Sequence, residues 1–269
     1  IHAINQVAAS VGKKARIALR INPDVDPKTH PYISTGMKKS KFGIASDRAL
    51  EEYKMASSLD HIDVVGVHAH IGSQLTEVTP FVDSLKKVVT LIHTLKSQGI
   101  TIRYLNIGGG LGITYSEEKP PLPQDLANAI SPLVKDLGLT LVMEPGRVIV
   151  GNAGILVTKA LYEKAGETKH FVIVDAAMND LIRPSLYGAY HEIRPVNEEA
   201  IHRTRQTVDI VGPVCESGDF LAKDRSLPST KPGELLAVMS AGAYGFVMAS
   251  NYNSRPRVRK CSSRVESFT

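Results

Sequence analysis

The stretch "LTLVMEPGR", residues 139–147, decides how this chain is expected to fold. Its apolar first half predicts the end of a buried strand at residues 141–143. A carboxylate, Glu144, follows at once, and Pro145 and Gly146 then break the backbone. An acid placed where an apolar strand stops predicts a strand that ends at a functional site.

Three earlier segments resemble this one, because each is strand-like and either ends in polar residues or is followed by glycines: "ARIALRIN" (15–22), "IDVVGVHAH" (62–70) and "TIRYLNI" (101–107). Helical patterns lie between them, as in residues 79–99, and residues 1–11 also place apolar side chains on one helical face. This alternation predicts βα units and a parallel sheet. Two folds remain open: a small doubly wound sheet, or half of a (β/α)8 barrel, since a complete barrel takes about 250 residues.

Beyond residue 150 the pattern changes to β-like runs separated by Gly and Pro, with little helical periodicity. Examples are "VIVGNAGILVTKALY" (148–162) and "GELLAVMSAGAYGFVMAS" (233–250). We therefore expect a second, mostly β domain that starts near residue 152.

The composition excludes several classes of protein. Apolar residues make up 43% and charged residues 22% of the chain, which is typical of a globular protein. Of the net charge of +5, residues 255–269 carry +4, so the basic character belongs to a short tail and does not indicate nucleic-acid binding. No apolar run has the length of a membrane helix. Cys215 and Cys261 are far apart, so neither a disulfide framework nor a metal site is predicted, and a reducing compartment is expected.

Polar residues collect where the predicted strands end, which is where parallel α/β folds bind ligands. The second strand is followed by His70, the third by Gly108–Gly110, and the fourth by Glu144. Each feature alone has a structural explanation: a flexible loop, a core histidine or an ion pair. Together they offer close backbone approach for a phosphate, a flat imidazole and a carboxylate. That set suits a flat, phosphorylated ring that contains nitrogen, whereas the glycines fit neither a P-loop nor a dinucleotide fingerprint.

Six motifs, in order, resemble the diaminopimelate decarboxylase family of pyridoxal-phosphate enzymes, within the alanine-racemase-like class. They are "HAHIGSQ", "LNIGGGLGITY", "MEPGR", "IRPSLYGAY", "GPVCESGDFLAKDR" and "SAGAYGFVMASNYNSRPR". The resemblance implies the C-terminal half of a (β/α)8 barrel at residues 1–151 and a β domain at 152–257. It also implies a homodimer, located in the cytoplasm or in a plastid, that converts meso-2,6-diaminopimelate to L-lysine and CO2.

The resemblance also assigns the binding of pyridoxal 5'-phosphate residue by residue. His70 would stack on the pyridine ring, and Glu144 would pair with the pyridine nitrogen, where an anion favours the protonated form. The residues expected to hold the phosphate, partly through their backbone, are Ser73, Gly108, Gly109, Gly110, Gly146 and Arg147. Tyr244 matches a position that touches both cofactor and substrate.

Further matches concern the amino-acid substrate. The substrate-binding positions are Arg147, Arg183, Tyr187, Glu216 and Tyr244, with Glu216 reading the distal ammonium group. Arg147 can also grip a carboxylate with two hydrogen bonds. Cys215 matches the residue that returns a proton to the substrate carbon across the dimer interface. The alternative for Cys215 is a buried, inert thiol.

Two departures from the family pattern stand out. The family binds its cofactor covalently through a lysine in a Tyr-Ala-x-Lys-Ala-Asn-like segment, and this sequence contains no such segment. Lysines elsewhere do not replace it: Lys13, Lys14, Lys38, Lys39 and Lys41. Residues 258–269 form a basic tail that does not continue as the family does. We therefore expect a sequence truncated at both ends and inactive alone.

Two other functions remain open. A related decarboxylase could act on ornithine, arginine or carboxynorspermidine, but relatives that act on simple diamino acids typically carry Asp at the position of Glu216, and Arg183 favours a substrate with a second carboxylate. A non-catalytic homologue acting through its dimer surface is permitted by the absent lysine, although intact "EPGR" and "CESGD" argue against it.

Overall fold

The computed structural model describes residues 1–26 and 41–262, and it divides the chain into two compact units. The first unit contains residues 1–114 and 118–148, and the second contains residues 115–117 and 149 onward. Lys38 and Lys39, which the sequence rules out as the cofactor-binding lysine, lie outside the described residues.

The first unit is an alternation of helices and strands, as predicted. Its helices are α1 (His2–Ser10), α2 (Ala49–Ser57), α3 (Thr79–Ser97) and α4 (Pro123–Val134). Its strands are β1 (Ala15–Asn22), β2 (Ile44–Ala45), β3 (Ile62–His68), β4 (Tyr104–Asn106) and β5 (Thr140–Val142). They form one sheet in the order β2-β1-β3-β4-β5, and every pair is parallel. This confirms the prediction of a partial (β/α) barrel.

Burial of the helices follows their apolar spacing. Helix α3 buries Phe81, Leu85, Val88, Ile92 and Leu95 against the sheet, and Gly99, at φ +78°, follows its last turn. The positions three and four residues apart form one stripe of the helix, which explains why the sequence predicted this element well.

One expectation of burial in this unit is wrong. Residues 141–143, at the end of β5 and just after it, were expected to be buried, yet Leu141 is 38% and Met143 44% exposed. Among the described strands, β5 pairs only with β4, so it forms an edge of the sheet and no described strand pairs with its other side. Helix α1 forms as predicted, but of its apolar face only Ala8 is buried, while Val7 and Val11 are exposed.

A short helix, α5 (Arg147–Val150), has its first two residues in the first unit and its last two in the second, which continues as a mixed sheet. The strands are β6 (Leu156–Ala165), β7 (His170–Val174), β8 (Ile193–Pro195), β9 (Arg205–Val211), β10 (Phe220–Pro228) and β11 (Leu235–Val238), with helix α6 (Arg183–Tyr187) after β7. Their order is β10-β9-β7-β6-β11-β8, with β7 and β9 parallel and the other pairs antiparallel. The prediction of a mostly β domain is confirmed.

Two of its predicted strand runs are shorter than expected. Residues 148–155 are not extended, and the run at 233–250 is a strand only in β11. In these segments two glycines approach each other closely, because a Cβ on Gly154 would lie 2.5 Å from the Cα of Gly242. The backbone N–H of Ala241 donates to the carbonyl of Gly154 at 2.7 Å, so these segments pair through loops.

The start of the predicted basic tail contacts this unit. Val258 packs against its apolar core, and the Lys260 ammonium lies 3.8 Å from the centroid of the Phe246 ring. Across the described residues, no helix is both long and apolar enough to cross a membrane.

Candidate functional site

The carboxyl ends of β3, β4 and β5 meet at one edge of the parallel sheet. His68 on β3 aligns with Asn106 on β4, and Asn106 aligns with Val142 on β5. The segments that follow these three residues therefore leave the sheet side by side. They carry His70, the three glycines and Glu144, so the structure brings these predicted site residues together.

The imidazole of His70 is held in one tautomer. The backbone N–H of Gly109 donates to His70 Nδ1 at 3.1 Å, which requires a lone pair on Nδ1 and places the ring proton on Nε2. Burial, followed by the positive charge of Arg20, lowers the pKa of His70. Arg20 also donates to the carbonyl of His70 at 3.2 Å. The result is a neutral, oriented aromatic ring, as stacking on a flat ligand requires.

The three glycines are required by lack of space. A Cβ on Gly109 would lie 2.0 Å from the carbonyl oxygen of Glu144, and one on Gly110 would lie 2.3 Å from that of Gly72. Gly108 and Gly110 also adopt φ values of +69° and +115°, which side-chain-bearing residues rarely adopt. Such a loop lets an anion approach the backbone closely.

The carboxylate of Glu144 is anchored through one oxygen. The backbone N–H of Glu144 donates to the carbonyl of Gly108 at 2.8 Å, and the Asn106 amide donates to Glu144 Oε1 at 2.7 Å. His68 Nε2 lies 3.5 Å from the same Oε1. The Glu144 side chain is 49% exposed, so its carboxylate can accept a further hydrogen bond through Oε2.

The side chains of Arg147 and Ser73 form a hydrogen bond within the first unit. Arg147 is only 5% exposed, and its guanidinium donates to Ser73 Oγ at 3.0 Å. The pair joins the loop after β3 to the segment after β5. A Cβ on the neighbouring Gly146 would meet nothing within 4 Å, so the described structure gives no steric reason for glycine there.

These features fit pyridoxal phosphate. A backbone cradle closed to side chains, a buried guanidinium and a hydroxyl suit a dianionic phosphate. A neutral imidazole suits the face of a pyridine ring, and an anchored carboxylate suits its protonated nitrogen. Among the described residues, no group of His, Cys, Asp or Glu side chains is arranged to hold a metal ion.

In the second unit, Cys215 and Glu216 lie exposed on a tight turn. Asp219 organises that turn from beneath: it is 4% exposed, and its carboxylate accepts hydrogen bonds from the backbone N–H groups of Met178 and Val214, both at 2.6 Å. The hydroxyl of Tyr252 donates to Glu216 Oε2 at 2.6 Å. The cysteine is therefore exposed, unlike the buried, inert thiol of the alternative interpretation.

Arg183 lies in the interior of the second unit, at the start of α6. It is 6% exposed and its guanidinium carbon lies 4.5 Å from the centroid of the Tyr115 ring. Its NH1 is 2.8 Å from Nε2 of the fully buried His191, whose Nδ1 is 2.8 Å from the carbonyl of Met239. Because a carbonyl can only accept, Nδ1 carries the ring proton and Nε2 accepts from Arg183.

Helix α6 and the cysteine turn are joined directly. The hydroxyl of Ser185 donates to the carbonyl of Gly218, so the helix that carries Arg183 and Tyr187 contacts the turn that carries Glu216. Tyr187 is partly buried at the end of α6. Tyr244 is 40% exposed and has a φ of +58°, an uncommon backbone conformation for tyrosine that occurs frequently at functional sites.

Sequence reasoning missed four residues that support these side chains. They are Asn106, His191, Asp219 and Tyr252. All four lie inside or next to motifs that were singled out, yet nothing in a motif tells which of its polar residues binds a neighbour in the fold.

The fold and the site define a class of protein. Residues 1–151 match the family model described as "Pyridoxal-dependent decarboxylase, pyridoxal binding domain", and this match takes in more than half of the chain. The chain therefore belongs to the pyridoxal-dependent decarboxylases.

Two relatives with high sequence identity to this chain are both diaminopimelate decarboxylases. The chain is 55% identical to the diaminopimelate decarboxylase of Aquifex aeolicus over 255 residues, which cover 94% of this chain and 60% of the relative. It is also 55% identical to the Vibrio cholerae diaminopimelate decarboxylase, covering 95% of this chain and 61% of that one.

A solved structure agrees with these relatives. The diaminopimelate decarboxylase from Helicobacter pylori complexed with L-lysine superposes with a TM-score of 0.91 at 46% identity, over 96% of this chain and 64% of that chain. The chain thus spans about 60% of the length of the curated relatives it matches.

Proposed function

We propose that this chain is part of a pyridoxal-phosphate-dependent decarboxylase that converts meso-2,6-diaminopimelate to L-lysine and CO2. Relatives that are 55% identical over almost the whole chain carry the name diaminopimelate decarboxylase. Solved structures of such relatives contain L-lysine, which is the product of this reaction. The predicted substrate class is therefore a diamino acid with a second carboxylate.

The observation that carries the proposal is the Glu144 carboxylate, anchored by Asn106 beside a loop that admits only glycine. Bound pyridoxal phosphate supplies an electron-withdrawing ring that stabilises the negative charge left on carbon when CO2 departs. Glu144 would accept a hydrogen bond from the ring nitrogen and favour its protonated, more strongly withdrawing form. His70 would cover one face of the ring.

The remaining cofactor contacts would be made to the phosphate. Six residues would take part: Ser73, Gly108, Gly109, Gly110, Gly146 and Arg147. Of these, the buried Arg147 supplies positive charge, and its hydrogen bond to Ser73 holds both side chains in place. Tyr244 would touch both cofactor and substrate.

Substrate recognition would involve the second unit. Arg183 and Tyr187 would bind a carboxylate end of the substrate, together with Arg147, and Glu216 would accept hydrogen bonds from the distal ammonium group. Cys215 would deliver a proton to the carbon that has lost CO2, across the interface of a homodimer. Both cysteines are free thiols, which suits a reducing compartment such as the cytoplasm.

A chimera tests this function. Residues 1–257 would be joined behind the part of the Aquifex aeolicus relative that precedes its match to residue 1. We expect pyridoxal-phosphate-dependent release of CO2 from meso-2,6-diaminopimelate, and at least a tenfold lower rate after Glu144→Gln. Faster turnover of ornithine or arginine would instead identify the related decarboxylases. No turnover by a folded, cofactor-loaded chimera would favour the non-catalytic homologue.

A further inference from the structure

Asn106 at the end of β4 contacts both halves of the candidate cofactor site with one side chain. Its Nδ2 donates to Glu144 Oε1 at 2.7 Å, and its Oδ1 accepts from the backbone N–H of Gly108 at 2.8 Å. These two partners belong to different ends of the site. Glu144 is the carboxylate expected at the ring nitrogen, and Gly108 is the first glycine of the phosphate loop.

The chemistry of these contacts leaves only one orientation of the Asn106 amide. A backbone N–H can only donate, so the atom facing Gly108 is the carbonyl oxygen. The NH2 group then faces Glu144, whose ionised carboxylate can only accept. The reverse orientation would place donor against donor and acceptor against acceptor. Both bonds are therefore formed together or lost together when the side chain rotates.

The backbone around Asn106 holds this side chain in place. The carbonyl of Asn106 accepts a hydrogen bond from the N–H of Ala69 at 2.9 Å, and Asn106 stands between His68 and Val142 in the register of the sheet. A second bond links the same partners, because the N–H of Glu144 donates to the carbonyl of Gly108. The carboxylate and the loop thus form one hydrogen-bonded unit.

The neighbouring histidine does not neutralise the carboxylate. Burial lowers the pKa of His68, which lies 3.5 Å from the same Glu144 oxygen, and so favours its uncharged form. An amide orients an anion without cancelling its charge. Asn106 therefore orients the Glu144 carboxylate for a cationic partner, such as a protonated ring nitrogen, without itself supplying a compensating charge.

We propose that Asn106 is a positioning residue that orients the Glu144 carboxylate and the Gly108 backbone as a pair, and so sets the distance between the ring-nitrogen and phosphate contacts of the cofactor. This inference rests on the proposed function for the identity of the cofactor. The hydrogen-bonded pair itself is a property of the chain without any ligand.

Two substitutions test the two hydrogen bonds of the Asn106 side chain separately. Asn106→Asp keeps an oxygen for Gly108 but places a second carboxylate oxygen against Glu144. Asn106→Leu removes both bonds at similar volume. Asn128→Asp is a matched control, because Asn128 is an exposed residue of α4 in the same unit and the change in charge is identical.

The first readout is a titration of the 269-residue chain with pyridoxal phosphate, followed by absorbance. We expect Asn106→Asp to weaken binding about 10- to 100-fold, as loss of a hydrogen bond to a charged group does, and to change the spectrum of the bound cofactor, because Glu144 is no longer held in place. In a Glu144→Gln background the same substitution should weaken the affinity for pyridoxal phosphate by less than about threefold, because the charge of the partner at position 144 is gone. Asn128→Asp should leave affinity and spectrum unchanged.

The second readout needs no ligand. Hydrogen exchange of the Gly108 amide should become about tenfold faster or more in Asn106→Leu and stay within about threefold in Asn106→Asp.

The outcomes separate the two proposals. Equal losses of affinity in the Glu144 and Glu144→Gln backgrounds, or Gly108 exchange unaltered in Asn106→Leu, would overturn the positioning role. If the two variants show the expected Gly108 exchange but the wild-type chain binds no pyridoxal phosphate, the Asn106 link is supported and the cofactor assignment is overturned instead.

Discussion

The hydroxyl of Tyr252 donates a hydrogen bond to Glu216 Oε2 at 2.6 Å, between two residues 36 positions apart. This bond, and the negative charge of Glu216, raise the pKa of Tyr252 by favouring the protonated hydroxyl. The bond uses one carboxylate oxygen of Glu216 and directs the other. Tyr252 thus orients Glu216, the residue that is expected to bind the distal ammonium group of the substrate.

Tyr252→Phe should therefore change substrate affinity more than turnover. In the chimera we expect KM for diaminopimelate to rise about 3- to 10-fold, since the hydrogen bond from Tyr252 is lost and the Glu216 carboxylate is less well oriented. The rate constant kcat should change less than about twofold. Steady-state kinetics on Tyr190→Phe, an exposed tyrosine of the same unit, give the control. A kcat loss with unchanged KM would show that Tyr252 does not act through Glu216.

Cys215→Ala should lower kcat of the chimera while leaving affinity for pyridoxal phosphate intact. General acid catalysis typically contributes about 10²–10⁴-fold. Mixing this variant with one that lacks the cofactor-binding lysine should restore some activity, because a hybrid dimer contains one site with both residues. Absence of recovery after proven subunit exchange would place the lysine and cysteine of a site on the same chain.

Gly109→Ala should destabilise the first unit, because its new methyl group would lie 2.0 Å from the carbonyl oxygen of Glu144. We expect the free energy of unfolding to fall by about 3 kcal/mol or more, measured by urea titration. Gly146→Ala is the matched control, since a Cβ there meets nothing within 4 Å, and it should change stability by less than about 0.5 kcal/mol. Equal stability of the two variants would contradict the packing of this loop.

The free energy of unfolding should also decrease as the pH is lowered, because His70 titrates. Burial lowers its pKa in the native state from the ordinary value of 6.5, so below that pH the unfolded chain binds more protons than the native protein. Stability is therefore complete above pH 6.5 and is lost as the pH falls toward the lowered native value.

His70→Asn removes this titration but keeps an oxygen that can accept from Gly109. Urea unfolding at pH 7.5 and pH 5.5 should show a smaller loss of stability in the variant, while His68, whose pKa is also lowered, continues to titrate in both proteins. The same pH dependence in variant and wild type would mean that His70 is not held neutral by its surroundings.

The sequence predicted the elements whose patterns are local. Strand β1 carries a two-residue period, β3 is a β-branched run and helix α3 has a helical period, and all three were found where expected. Helix α6 has only five residues, which is too short for a helical period to show. Strand β10 contains Asp224 at φ +48° and two shifts of register, which interrupt its alternation of apolar and polar residues.

Burial was predicted less well than element type, because burial depends on what covers an element. The apolar residues of β5 lie on an edge strand, and those of α1 lie mostly on an exposed helix face. Periodicity states which face is apolar but not whether a neighbour packs on it.

The site residues were likewise predicted only in part. Motifs supplied the candidates that contact one another at the sheet edge, His70, Gly109 and Glu144. They did not supply Asn106 or His191, because the hydrogen bonds of these residues join positions that only the fold brings close. The interior position of Arg183 against His191 was likewise invisible in the sequence.

The most direct test of the cofactor site is a crystal structure of the chain with pyridoxal phosphate. We expect the phosphate within hydrogen-bond distance of the Gly108–Gly110 backbone, Ser73 and Arg147, with the ring stacked on His70 and its nitrogen about 2.7–3.0 Å from a Glu144 oxygen. Pyridoxal phosphate bound with its nitrogen turned away from Glu144, or bound away from the ends of β3, β4 and β5, would contradict this expectation.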